Sequence, residues 1–221
     1  MKTTEIIRQI ISGNEEFTKS HTDTYYSSYD HIQTPYITLI SCSDSRVPSN
    51  AILPDTVNRV FKIENIGNQV LSTEGSLDYG IYHLKTPLLI IMGHSDCGAI
   101  KAYMRGFSEE SYNIKRELDF IRPVIKNDFD ESQFALELSH NIERNIDYQV
   151  NIACKKYKDL ITENKLVVMG LYYDFLNDFN KGKGRTIIVN VNKKKDIEEI
   201  SKLPYFEMIT EEEKQFFVGR I

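Results

Sequence analysis

Five apolar runs, each bounded by turn residues, recur along the chain and predict the strands of a sheet. They read PYITLIS (35–41), VNRVFKI (57–63), PLLIIMG (87–93), KLVVMGLYYDF (165–175) and RTIIVNV (185–191). The first four are rich in Ile, Leu and Val and lack strict alternation, as expected for strands covered on both faces. We therefore predict an α/β fold with a central, mostly parallel sheet of about four strands plus an edge strand, flanked by helices.

Helical periodicity fills the interval between the second and third runs. Residues 73–85 place Leu77, Ile81 and Leu84 at helical spacing, and Thr73 is a candidate N-cap. A helix here suits a right-handed crossover between two parallel strands.

A longer helical region is predicted over residues 111–158, with a break near Pro123 and at the acidic turn NDFDES. Its apolar side chains form a stripe at four-residue spacing, typical of packing: Phe134, Leu138, Ile142, Ile146 and Val150. Cys154 continues the stripe and is interpreted as a small buried apolar residue. Together with a helical arm at residues 1–30 and a helical segment at 193–221, this predicts a single domain over residues 1–221.

Composition narrows the choice of partners. The 221 residues, 41% hydrophobic, suffice for one substantial core. A net charge of -5, from 27 Lys and Arg against 32 Asp and Glu, gives no basic field for nucleic acid. No apolar run approaches the roughly 18 residues of a membrane span, and the N-terminus lacks a signal peptide's apolar region. We therefore expect a cytoplasmic protein that binds neither nucleic acid nor membrane.

Two motifs place thiols beside charged groups at the carboxyl ends of predicted strands. SCSDSRVPSN (41–50) carries Cys42, Asp44 and Arg46, and MGHSDCGAI (92–100) carries His94 and Cys97. In open parallel sheets, sites assemble at this edge. We therefore expect the two motifs to meet in one site.

Cys42, His94 and Cys97 supply a Cys₂His ligand set. Thiolate and imidazole ligands favour zinc over calcium or magnesium. Three protein ligands leave a fourth coordination position open, which is typical of a catalytic zinc site rather than a structural one. Three cysteines in all, an odd number at wide spacing, also make a disulfide framework a poor explanation.

Two other interpretations of Cys42 are weaker. A nucleophilic Cys42 with Arg46 as anion-binding partner suggests a thiol phosphatase or a sulfurtransferase, but the three residues between them are too few for a phosphatase anion loop. A redox pair of Cys42 and Cys97 is geometrically conceivable, yet it leaves His94 and Asp44 unexplained.

The motifs CSDSR and GHSDCGA resemble those of the β-class carbonic anhydrase family, which read Cys-x-Asp-Ser/x-Arg and His-x-x-Cys-Gly. Three further segments are similar to segments of the same family: FKIENIGN (61–68), SLDYGI (76–81) and VVMGLYYDF (167–175). The resemblance covers residues 30–104 well and 166–192 loosely. It implies an enzyme that interconverts CO₂ and bicarbonate and holds one Zn²⁺ per subunit.

The resemblance also assigns roles within the first two motifs. Cys42, His94 and Cys97 would be the zinc ligands, with water or hydroxide as the fourth. Asp44 would accept a hydrogen bond from that water, and Arg46 would hold the Asp44 carboxylate in a bidentate pair. Because two thiolates acidify the water less than neutral imidazoles do, we expect better activity at alkaline pH.

Five more residues match the family's substrate pocket by position. Phe61, Ile66 and Tyr79 match its apolar wall, although plain core packing would explain them equally well. Gly98 matches a glycine whose backbone N–H faces substrate at a helix N-terminus. Gln33 matches a glutamine that reaches into the neighbouring subunit's site. The resemblance thus implies a homodimer or a dimer of dimers with its active site at the subunit interface.

One position departs from the family pattern. Glu64 stands where the family segment matching residues 64–68 begins with Arg, and the chain has no Trp. The branch of the family that closes its site when bicarbonate binds uses both residues, so we expect no closure of that kind, with Asp44 remaining off the metal. Two alternatives stay open: a hydrolase of carbon disulfide or carbonyl sulfide on the same scaffold, and a non-catalytic zinc-binding regulatory module.

Overall fold

The computed structural model describes residues 1–27, 29, 31–126 and 128–221. These residues separate into two compact units, Met1–Thr34 and Pro35–Ile221. Ser28 and Asp30 of the predicted N-terminal arm, and Asn127 of the predicted helical region, lie outside the described residues. The division of the chain into one domain with helical ends stays a prediction.

The first unit consists of two helices, α1 (Thr3–Ser20) and α2 (Asp23–Ser27). At the start of α1 the Glu5 carboxylate accepts a hydrogen bond from the backbone N–H of Lys2 at 2.8 Å. No residue of α1, all of which are described, is buried. Among the described residues, none of the helices is long and apolar enough to cross a membrane.

A five-stranded sheet forms the centre of the second unit. Its strands are β1 (Ile37–Cys42), β2 (Val60–Asn65), β3 (Leu88–His94), β4 (Val167–Asp174) and β5 (Arg185–Val191). They lie in the order β2-β1-β3-β4-β5, with the first four parallel and β5 antiparallel to β4. The predicted α/β fold, a parallel sheet with one additional edge strand, is confirmed. All six residues of β1, including Thr38 and Ser41, are buried, as expected for a strand covered on both faces.

Helices connect the strands and cover the sheet. They are α3 (Glu74–Asp78), α4 (Gly98–Arg105), α5 (Tyr112–Leu118), α6 (Phe134–Lys156), α7 (Lys158–Thr162), α8 (Ile197–Ser201) and α9 (Glu211–Phe217). Short 3₁₀ turns lie at Ser49–Ala51, Leu71–Thr73, Asp119–Val124, Glu131–Gln133 and Pro204–Phe206, and a π-turn at Tyr79–His83. The predicted break near Pro123 falls in one of the 3₁₀ turns.

The segment 73–85 differs from the single capped helix that its periodicity predicts. The hydroxyl of Thr73 does not cap α3 but donates to the carbonyl of Gln69 at 3.0 Å. Beyond α3 the chain widens into the π-turn, in which the N–H of Leu84 bonds the carbonyl of Tyr79 at 2.9 Å. Gly80 in this turn lies against Thr38 of β1, where a larger residue would not fit. Tertiary packing against β1 thus overrides the helical period.

The long helix α6 lies on β3 and β4 because two glycines allow it to approach. A Cβ atom added to Gly93 of β3 would lie 2.8 Å from Ile146 Cδ1, and one added to Gly170 of β4 would lie 2.6 Å from Ile146 Cγ2. The predicted stripe on α6 is buried at Leu138, Ile142, Ile146, Val150 and Cys154. Its packing role is therefore confirmed, and Ile146 is its point of closest approach to the sheet.

We expect Gly170→Ala to lower the free energy of unfolding by about 1–3 kcal/mol, because the new methyl group overpacks the contact with Ile146. Chemical denaturation checks this, with Gly75→Ala as matched control. A Cβ at Gly75 would meet no atom within 4 Å, and alanine is the better helix former, so this variant should be at least as stable as the parent. Equal stability of the two variants would contradict the packing assigned to α6.

Candidate metal centre and active site

Cys42 ends β1, beside Asn65 at the end of β2. Its Sγ accepts a hydrogen bond from the backbone N–H of Gly67 at 3.4 Å. Gly67 has a φ of +81°, a conformation that L side chains rarely adopt, so a glycine turns this N–H toward the thiol at little cost. The Cys42 thiol is thus placed by its own strand and by the turn after the neighbouring strand.

His94 ends β3 and is fully buried. Its Nδ1 lies 2.8 Å from the carbonyl oxygen of Ser95 and therefore donates the hydrogen of this bond. The neutral ring then presents the lone pair of Nε2. Among the described residues this buried atom has no hydrogen-bond partner. A buried, unpartnered imidazole nitrogen with its tautomer fixed in this way is typical of a metal ligand.

Cys97 occupies the N-cap position of α4 and is buried. The ligand atoms of Cys42, His94 and Cys97 all lie within 4.8 Å of one another. The parallel order of the sheet explains this proximity, because β1 and β3 are neighbours and both motifs follow their carboxyl ends. The structure therefore brings together the three side chains that the sequence nominates as metal ligands.

The two thiols interact strongly. A hydrogen bond from Cys97, together with His94 and the Gly67 N–H, lowers the pKa of the Cys42 thiol despite its burial. The hydrogen bond to Cys42, burial and the negative charge of the Cys42 thiolate raise the pKa of Cys97 well above its usual value. Without a cation the second thiol keeps its proton, whereas a divalent metal stabilises both thiolates. The residues present fit a zinc ion in donor chemistry and in burial.

Asp44 and Arg46 form a bidentate pair beside this cluster. Arg46 Nε donates to Asp44 Oδ1 at 2.9 Å, and Arg46 Nη2 donates to Asp44 Oδ2 at 2.7 Å. These bonds hold the pKa of the Asp44 carboxyl well below its usual range. Asp44 Oδ2 lies 3.9 Å from His94 Nε2, so the carboxylate reaches the edge of the ligand cluster.

Comparison with known proteins agrees with this geometry. A sequence model of the family described as Carbonic anhydrase matches residues 37–179, which span the sheet from β1 through β4 and include both motifs. The chain belongs to the β-class carbonic anhydrase family.

Individual relatives support the same assignment. The chain is 30% identical to a carbonic anhydrase of Helicobacter pylori (strain ATCC 700392 / 26695) over 183 residues, covering 73% of this chain and 83% of the relative. It is 26% identical to beta carbonic anhydrase 3 of Arabidopsis thaliana over 194 residues, covering 78% and 74%. Among solved structures, one of two tetrameric β-carbonic anhydrases from Sordaria macrospora matches with a TM-score of 0.70 at 23% identity, covering 84% of this chain and 97% of that one.

Within this β-carbonic anhydrase fold, Gly98 and Ile66 lie next to the ligand cluster along the chain. Gly98 follows the ligand candidate Cys97 and is the first residue of α4. Ile66, partly exposed, precedes the glycine that bonds the Cys42 thiol. Their roles in binding substrate stay predictions.

Phe61 and Tyr79 lie elsewhere on the protomer. Their rings contact each other at 5.6 Å between centroids. Phe61 pairs with Thr38, whereas Cys42 pairs with Asn65 at the other end of the same strands. Four residues at roughly 3.3 Å each separate the two levels by about 13 Å. The structure therefore does not bring Phe61 to its own protomer's ligand cluster. Gln33 belongs to the first unit.

Sequence reasoning missed two side chains that surround Arg46. The Asp96 carboxylate accepts from Arg46 Nη1 at 3.0 Å, and the Phe175 ring lies 5.0 Å from the guanidinium carbon. Asp96 sits between His94 and Cys97 in the motif itself, so its position was a signal that could have been used. Phe175 follows the YYD segment, and nothing in its spacing pointed to Arg46.

A buried carboxylate network behind the cluster was also missed. Asp174, at the end of β4, accepts from Ser95 Oγ at 3.0 Å and from the N–H groups of Asp178 and Phe179 at 2.8 and 3.0 Å. Ser95 Oγ also lies 2.9 Å from Asp178 Oδ2, so its single hydrogen is shared between the two carboxylates. These bonds fix the residue whose carbonyl orients His94. The conformation of the β4–β5 loop therefore contributes to the orientation of a ligand on β3.

We expect the parent protein to hold one zinc ion tightly and Cys97→Ala to lose it, because the remaining two donors would leave the ion incompletely coordinated. Metal content measured by mass spectrometry after dialysis against a chelator checks this. Cys154→Ala is the control, because Cys154 lies on the core stripe of α6, where burial raises its thiol pKa to about 11. Zinc retained by Cys97→Ala, or lost from Cys154→Ala, would contradict the ligand set.

Proposed function

We propose that this protein is a zinc-dependent carbonic anhydrase that catalyses the reversible hydration of CO₂ to bicarbonate and a proton. One observation carries the proposal: a buried Cys₂His cluster with an unpartnered His94 Nε2 lies beside the Asp44–Arg46 pair. Membership of the β-class carbonic anhydrase family supports it. A cytoplasmic location stays a prediction.

Cys42, His94 and Cys97 would hold the ion through two Sγ atoms and Nε2. When bound, zinc acts as a Lewis acid that lowers the pKa of a coordinated water. Two thiolates offset the charge of a divalent cation, and the neutral imidazole adds none. Burial of all three side chains keeps competing water away from the ligand atoms.

Asp44 orients the attacking water. Its two oxygens already accept bonds from Arg46, and the remaining lone pairs can accept a hydrogen from a water at the edge of the cluster. Because Arg46 depresses its pKa, Asp44 stays ionised at neutral pH and acts only as an acceptor. A water that donates one hydrogen to Asp44 directs its lone pair at the carbon of CO₂.

The product anion needs a donor, and Gly98 offers one. Its N–H lies at the N-terminus of α4, where the first N–H groups have no acceptor within the helix and the helix dipole favours negative charge. We assign Ile66 to the apolar wall that receives the nonpolar substrate.

CO₂ hydration followed by stopped flow should increase from about pH 6 to pH 9, because the attacking water must lose a proton and its pKa lies in this interval. Asp44 has a depressed pKa and does not titrate in this range, so it is not the source of the rise. Asp44→Asn should lower kcat about 10²-fold, because an amide can donate to the water and misorient it. A flat pH profile in the parent protein would contradict the mechanism.

Asp55→Asn is the matched control for Asp44→Asn. Asp55 also pairs with an arginine, Arg59, at 3.6 Å, but both side chains of that pair are largely exposed. Its loss should leave kcat within about twofold of the parent. Assays with carbon disulfide and carbonyl sulfide on the same samples separate the alternative substrates, and bound zinc without turnover of any of the three would favour a regulatory module.

We further propose a homodimer, or a dimer of dimers, in which each subunit completes the other's pocket. The separation of about 13 Å between the levels of Phe61 and Cys42 supports this, because a residue so far from its own ligand cluster would line a pocket only in another copy. Tyr79 contacts Phe61 and would therefore line the same pocket of the neighbouring subunit. The family resemblance assigns Gln33 to the same shared site.

Mixing two inactive variants tests this arrangement. The Gln33→Ala subunit retains all three proposed metal ligands, and the Cys97→Ala subunit retains Gln33. If the site is shared, refolding them together should recover activity at about a quarter of the sites, because half of the dimers are mixed and each mixed dimer has one complete site. Stopped-flow activity of the mixture relative to the separate variants is the measurement.

The control is Gln33→Ala refolded alone, which should recover no CO₂ hydration activity. Activity in the mixture equal to the mean of the two separate variants would rule out a site shared in this way.

A further inference from the structure

We propose that Asp96 is a positioning residue for the proposed reaction: it aligns Arg46, and through Arg46 it fixes the carboxylate of Asp44. The inference rests on the proposed function, because Asp44 has a catalytic role only if the cluster activates water. It adds a residue that lies in the second motif but acts on the first.

Arg46 divides its donors between two carboxylates. Nε and Nη2 bond the oxygens of Asp44, while Nη1 donates to Asp96 Oδ2 at 3.0 Å. Nη2 also donates to the backbone carbonyl of Asp96 at 3.1 Å. All three nitrogens are therefore used, and two of the four bonds go to Asp96. The plane of the guanidinium is defined by both partners together.

Asp96 is itself held from the other side. Its second carboxylate oxygen pairs with the ammonium group of Lys101 on α4. Its backbone φ is +56°, a left-handed conformation that Asp and Asn adopt more readily than most residues. Lys101, Asp96, Arg46 and Asp44 thus form a row of alternating charges that links α4 to the loop after β1. The row connects the two loops that carry the ligand candidates.

Arg46 needs this second anchor because its side chain is 46% exposed. An exposed ion pair with a single partner is weak and readily exchanged for water. Without Asp96, the guanidinium keeps Asp44 and the ring of Phe175 as side-chain contacts within the described part of the chain. The Asp44 carboxylate would then be held by an arginine that moves more freely. This matters because Asp44 Oδ2 lies only 3.9 Å from His94 Nε2, at the edge of the ligand cluster. Loss of Asp96 would therefore disturb the orientation of the attacking water and leave the ligand set intact.

Two substitutions at Asp96 test the inference. Asp96→Gly removes the carboxylate and accepts the positive φ without strain. Asp96→Asn keeps an oxygen acceptor for Nη1 but loses the charge. We expect kcat for CO₂ hydration to fall about 3- to 10-fold in Asp96→Gly and less in Asp96→Asn, with KM and zinc content unchanged. A loss of activity that only follows a loss of zinc would overturn the inference.

Lys202→Gln is the matched control, because it breaks an exposed lysine–carboxylate pair, with Glu198 at 3.2 Å, outside this row of charges. Its kcat should stay within about twofold of the parent. Asp96→Gly should also have little further effect in an Asp44→Asn background, because the two changes disturb the same step. Full additivity of the two substitutions would overturn the inference, as would an unchanged kcat in Asp96→Gly.

Crystal structures of the parent and of both Asp96 variants give a readout that needs no turnover. We expect the Arg46 guanidinium to leave its position beside Asp44 in Asp96→Gly and to shift by a smaller distance in Asp96→Asn. Failure of the parent to hydrate CO₂ would overturn the proposed function, and the position of Arg46 would still decide the positioning role. If Asp96→Gly does not fold, Asp96→Asn still decides: parent kcat would overturn the inference, and a reduced kcat at unchanged zinc content would support it.

Discussion

Two thiols and one imidazole are buried within 4.8 Å of one another, and the rest of the site is built around this crowding. The pKa of Cys42 falls while that of Cys97 rises, because two adjacent thiols cannot both ionise in a buried site without a cation. Such a cluster is costly to maintain for packing alone. Neighbouring parallel strands bring its members together without a long loop, and this explains why the site lies at the carboxyl ends of β1 and β3.

Helix α6 links the geometry of the three-residue cluster to the packing of the core. Ile146 packs against Gly93, directly before His94. Directly before Ile146, Asn145 Nδ2 donates to the carbonyl of Gly67 at 3.0 Å, and the N–H of the same glycine bonds Cys42 Sγ. One helix therefore supports a ligand on each of two strands. Core packing and ligand geometry are not separable here, because a shift of α6 moves the backbone next to both Cys42 and His94.

Short-range sequence features predicted much of the fold and the metal cluster. Buried parallel strands give continuous apolar runs, and a thiol after such a run lies at the sheet edge where sites form. The contacts of Asn145 with Gly67 could not be predicted, because they join residues 78 positions apart through a single buried amide. The π-turn after α3 was missed because Thr38 of β1 determines it. Periodicity carries no information about such long-range contacts.

Phe61 shows why pocket and core could not be told apart from the sequence. An aromatic residue on a strand has the same pattern whether it packs inward or lines a pocket of another subunit. The strand register separates the two cases, because it places Phe61 at the end of β2 opposite Asn65 and the ligand cluster. A single protomer thus supplies the three candidate metal ligands and the Asp44–Arg46 pair, while Phe61 lies about 13 Å away along the strands. If Phe61 and Tyr79 form an apolar wall for substrate, that wall belongs to the site of a second copy of the chain, and catalysis then depends on assembly.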